Sequence, residues 1–93
     1  MFSVEIHFNQ NTESIAEIID KIDDCFTYYK LPCISKTDDK IIYGDNGNPR
    51  DIGKLYGAIG KVSDIPYALN VISDGYIVRG DIKETLMTNF FKR

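Results

Sequence analysis

Residues 2–8 alternate: Phe2, Val4, Ile6 and Phe8 fall on one side of an extended chain, and Ser3, Glu5 and His7 on the other. Side chains of a strand point to opposite faces with a period of two, so this pattern predicts a strand covered on one face only. Past Asn9-Gln10-Asn11 the period changes. Ile15, Ile18, Ile19, Ile22, Cys25, Phe26 and Tyr29 recur at three- and four-residue spacing, which predicts an amphipathic helix over 12–29. Thr12 or Asn11 can cap it, Ser14 with Glu17 offers an alternative capping box, and Leu31-Pro32 ends it.

Residues 33–36 and 40–43 read as two short strands around the turn Thr37-Asp38-Asp39. The loop Gly44-Asp45-Asn46-Gly47-Asn48 leads to a second helix, capped by Asn48 and opened by Pro49, with Ile52, Leu55, Tyr56 and Ile59 as its buried stripe. Gly53, Gly57 and Gly60 share an adjacent face. Each costs about 1 kcal/mol relative to alanine inside a helix, so they predict either a close backbone approach or a helix that breaks near Gly57 or Gly60. Residues 67–72 and 76–79 flank Ser73-Asp74-Gly75, the clearest hairpin signal. Asp81 and Glu84 then form an acidic capping box for a final helix with Ile82, Leu86, Met87 and Phe90 inside.

The expected order is β-α-β-β-α-β-β-α. Its first six elements follow the ferredoxin-like order β-α-β-β-α-β, with an added strand and a C-terminal helix. A two-layer α+β sandwich with a mainly antiparallel sheet buries these stripes most simply, as one domain over 1–93. That architecture hosts many functions and selects none.

Composition narrows the class. Ninety-three residues, 43% hydrophobic and 27% charged, suit a folded globular chain rather than a disordered one. No apolar run approaches the roughly 20 residues that span a bilayer, and the N-terminus alternates instead of forming a signal-peptide core, so a cytoplasmic protein is expected. Cys25 and Cys33 fit no metal or redox spacing, and free thiols are expected, with Cys25 as a small core residue. The net charge is −3, but residues 1–30 hold six acids against two bases. A surface of that sign disfavours direct binding to nucleic acid.

Catalytic and cofactor chemistry finds little footing. His7, the sole histidine, lies on the outward face of its strand while Cys25 points inward from the helix, so the two do not form a nucleophile–base pair. Asp38-Asp39 and Asp45-Asn46-Gly47-Asn48 lack the ligand spacing of a calcium loop and read as turn formers. Around Gly60-Lys61 a phosphate-binding P-loop needs glycine at 55 and Ser or Thr at 62; the chain has Leu55 and Val62. No catalytic residue, metal or cofactor is expected.

What remains is a carboxylate row. Glu13, Glu17, Asp20 and Asp24 are spaced i, i+4, i+7, i+11 and share the helix face opposite the apolar stripe. Only Lys21 is placed as a helical counter-ion, for Glu17. Successive members are roughly 4.5–6 Å apart along the axis, comparable to phosphates on a nucleic-acid strand. The expected function is therefore a protein-interaction module that sets this face, with Asp23 and Tyr28 at its margin, on a basic protein such as a nucleic-acid-binding enzyme. Toxin-immunity proteins and phage inhibitors of host defence, anti-CRISPR proteins among them, offer the class analogy. The alternative expectation is a small-ligand or enzymatic pocket near the second helix, lined by Arg50, Gly53, Tyr56 and Gly57. A third is an accessory subunit or homodimer joined at a sheet edge.

Overall fold

The computed structural model describes residues 2–9, 15–87 and 91. Along the chain run β1 (Phe2–Phe8), α1 (Ile15–Tyr28), β2 (Cys33–Lys36), β3 (Lys40–Gly44), a 3-10 turn (Pro49–Asp51), α2 (Ile52–Ser63), the single helical turn α3 (Ala68–Val71), β4 (Ile72–Arg79) and β5 (Ile82–Thr85). The five strands form one antiparallel sheet in the order β2-β3-β1-β4-β5. β1 is central. It pairs Val4 with Tyr43 and Ile6 with Ile41 on one side, and Val4 with Ile77 and Ile6 with Gly75 on the other.

The alternation read in residues 2–8 holds: Val4, Ile6 and Phe8 are buried and join Ile18, Ile22 and Phe26 of α1 and Leu55, Ile59 and Val62 of α2 in one core. The helices thus cover one face of the sheet, an α+β two-layer arrangement. α1 and α2 run antiparallel. Tyr29 lies against Gly57, where a Cβ would stand 2.7 Å from the Tyr29 hydroxyl oxygen. Gly57 therefore marks the expected close approach, whereas Gly53 and Gly60 face open space and the helix continues through both to Ser63.

Two buried aspartates shape the β3–α2 loop. Asp45 accepts hydrogen bonds from the N–H of Phe2 (2.8 Å) and of Gly47 (2.9 Å), and Gly47 takes a φ of +83° that only glycine adopts readily. Asp51 accepts from the Asn46 N–H at 2.9 Å. Asn48 caps the 3-10 turn by accepting from the Arg50 N–H at 3.0 Å, so the helical segment opens at Pro49 as a 3-10 turn before becoming α2.

The last third departs from expectation in three places, giving β-α-β-β-α-α-β-β. Residues 68–71 form α3, not a strand. Ser73-Asp74-Gly75 is no hairpin, because β4 continues through it paired with β1, the register shifting at a bulge between His7–Asp74 and Phe8–Ile72. Gly75 serves a different need there: a Cβ would sit 2.6 Å from the ring of the fully buried Phe91. The hairpin lies at Gly80-Asp81 instead, with Gly80 at φ +59°, and residues 82–85 pair with β4 as β5 in place of the expected final helix. Pairing with a strand already in the sheet outweighs the local capping signal of Asp81 and Glu84. Of the expected inner face of that helix, Leu86 is buried, Ile82 is exposed, and Phe90 lies outside the described residues.

Candidate functional site

The period of α1 sorts its side chains into three groups. Ile18, Ile22 and Phe26 enter the core; Glu17, Asp20, Lys21, Asp24 and Tyr28 are exposed; Asp23 and Cys25 stand at opposite margins. Glu13, the first member of the expected carboxylate row, and its candidate caps Asn11, Thr12 and Ser14 lie outside the described residues. Ion pairs among the described residues join Lys54 to Asp51 and Lys83 to Glu5. None reaches Glu17, Asp20 or Asp24, and the expected Glu17–Lys21 pair does not form.

Asp23, at the margin of the row, has a partner in the sheet. It accepts a 2.6 Å hydrogen bond from the hydroxyl of Tyr43, a β3 residue stacked on Phe26 with ring centroids 3.9 Å apart. Burial first, and then the Asp23 carboxylate, push the Tyr43 phenol far above its ordinary value, so it stays a donor. Asp23 thus serves as the acceptor that ties α1 to β3.

On the other margin the acidic face runs into an open groove of about 500 Å3 between α1 and the end of α2. Lys21, Asp24 and Tyr28 line it from α1, and Lys61, Ile65 and Pro66 from the opposite wall. Tyr28 is 69% exposed, yet it is held in place: its ring meets Tyr29 edge-on at 5.0 Å, and Lys61 Nζ lies 4.3 Å from its centroid. The exposed Tyr28 ring thus stands beside Asp24, a carboxylate with no ion pair among the described residues. Cys25 shares the groove as a thiol. Its Sγ–H donates to the Lys21 carbonyl at 3.3 Å, and burial raises its pKa, which disfavours the nucleophilic thiolate.

His7 lies on the sheet face away from the helices, edge-on to Tyr76 at 5.8 Å, and does not meet Cys25. Both cysteines are free. Among the described residues no group of three or more His, Cys, Asp or Glu side chains is placed to hold a metal, and no helix is long and apolar enough to cross a membrane.

The residues expected for the alternative pocket are spread over α2 and the turn before it. Tyr56 lines a cavity beside α2; Gly53 faces open space, Gly57 lies beneath Tyr29, and Arg50 is exposed on the 3-10 turn. The cavity beside α2 is completed by Phe2, Ile77, Arg79, Ile82 and Glu84. The helix-start pattern of Asp81 and Glu84 masks this site in the sequence, because residues 82–85 pair with β4. Gly80-Asp81 between two alternating runs was the signal that could have found it.

No family model, curated protein or solved structure matches this chain. The functional reading therefore rests on the site itself.

Proposed function

We propose that this protein is a small interaction module that sets the exposed face of α1 on a basic surface of a partner protein, in the manner of inhibitors or immunity proteins that occupy nucleic-acid-binding grooves. The observation that carries the reading is the set Glu17, Asp20 and Asp24: exposed, on one face, and without an ion pair among the described residues. Their axial spacing of about 4.5–6 Å lets a basic groove meet them as it meets phosphates. Tyr28 and the adjoining groove supply the apolar contact that charge alone lacks, since complementary charge mainly speeds association and fixes specificity.

Affinity capture from native lysate, with the wild type and the Glu17→Lys/Asp20→Lys variant side by side, tests the reading. The wild type should retain a basic nucleic-acid-binding protein that elutes at high salt, and the variant should not. Equal retention by a variant that folds like the wild type would overturn it.

A further inference from the structure

A second concavity lies where β1 begins, β4 ends and β5 begins, with no contribution from α1, and encloses about 220 Å3. Phe2, Ile77 and Ile82 floor it from three adjacent strands, and Ile52 and Tyr56 close it from α2. Arg79 and Glu84 stand in the same lining. Arg79 is directly opposite Ile82, and Ile77 opposite Glu84. Both charges therefore project to the helix side of the sheet as diagonal neighbours, about 7–8 Å apart at the backbone and within reach of each other's side chains. They do not pair with each other or with any described residue. A cation and an anion are thus left separate at the margin of an apolar floor, and Ile82 is 51% exposed beside them.

Size and charge together define the occupant. Sites for drug-sized ligands measure about 300–1,000 Å3, so this cavity admits something closer to one amino acid. A guanidinium recognises a carboxylate through a planar fork, and a carboxylate recognises an ammonium. We infer that this pocket binds a free aliphatic α-amino acid of the leucine, isoleucine or valine type. Its carboxylate lies on Arg79, its ammonium on Glu84, and its side chain over Ile77 and Ile82. The site is separate from the α1 face, so the two readings stand or fall independently.

Titration of the isotopically labelled full chain with L-leucine, followed by amide resonances, tests this. Saturable shifts should concentrate at Phe2, Ile77, Arg79, Ile82 and Glu84. Leucinamide lacks the carboxylate, 4-methylpentanoate lacks the ammonium and glycine lacks the side chain; each should bind at least about tenfold more weakly. Arg79→Gln and Glu84→Gln alter exposed side chains, so they should keep the wild-type spectrum and lose the leucine response, whereas Glu17→Lys/Asp20→Lys should keep it. The inference is overturned by no saturable shift with millimolar leucine, isoleucine or valine. It is equally overturned by undiminished binding of 4-methylpentanoate, or by an Arg79→Gln variant that responds like the wild type.

Discussion

The Tyr43 hydroxyl donates a 2.6 Å hydrogen bond to Oδ1 of Asp23, joining β3 to a margin of α1 across 20 residues of sequence. Tyr43 is 1% exposed, so its hydroxyl has little other partner, and the bond separates Asp23 from the carboxylates that face solvent.

Asp23→Asn and Tyr43→Phe should each lower stability by about 1 kcal/mol, and a double-mutant cycle should show them coupled. Glu17→Gln, Asp20→Asn and Asp24→Asn should stay within about 0.5 kcal/mol of wild type, as surface substitutions do. Urea denaturation of the five single variants and the double variant checks this. If Asp23→Asn is as silent as the other three, the separation of Asp23 from the solvent-facing carboxylates is wrong.

The glycines of α2 should separate in the same assay. Gly53→Ala and Gly60→Ala meet no atom within 4 Å and should stabilise by about 0.5–1 kcal/mol through helix propensity. Gly57→Ala must displace the Tyr29 ring, which also braces Tyr28, and should lose that gain. Gly75→Ala, against the buried Phe91 ring, should destabilise by about 1–3 kcal/mol. A stabilising Gly75→Ala would contradict the packing of the C-terminal segment on β4.

Asp45 predicts part of the acid response. The Phe2 and Gly47 N–H groups bind its carboxylate and hold its folded pKa below the ordinary value, against the opposing effect of burial. A carboxyl group depressed in the folded state contributes stability above its unfolded pKa, about 3.9, and loses it as pH falls through the lower folded value. Asp45→Asn should therefore cost about 1–3 kcal/mol at neutral pH, and the gap from wild type should narrow below about pH 4. The Glu5–Lys83 pair, 2.8 Å long, also lowers the pKa of Glu5, chiefly through the Lys83 hydrogen bond. It lies on the face away from the helices with Lys83 half exposed, and screening leaves it a minor contributor. Thermal melts of both proteins across acidic pH measure the gap; a constant difference would contradict the assignment.

The legible part of the fold was the part governed by local periodicity. Phe2 to Phe8 alternate, α1 carries an unbroken apolar stripe, and the Asn48-Pro49 start of the second helical segment follows from capping and proline geometry. Long-range pairing obscured the rest. Ser73-Asp74-Gly75 has the chemistry of a turn, but β4 pairs with β1 through it, and Gly75 is small because Phe91 lies against it. Asp81 and Glu84 carry a helix-start signal, yet the strand beside them claims residues 82–85. For the candidate site, the spacing on α1 placed Glu17, Asp20 and Asp24 together. Nothing local to Asp23 could announce Tyr43, and nothing local to Arg79 could announce its position beside Glu84 and Phe2.

The central claim is that the α1 face binds through its unpaired carboxylates, and the affinity of the captured partner for wild type and for Glu17→Lys/Asp20→Lys tests it most directly. With both proteins showing the same unfolding midpoint, the double reversal should weaken binding by at least about tenfold at low salt, and the difference should shrink as salt rises. Equal affinity of the two proteins at low salt would contradict the account.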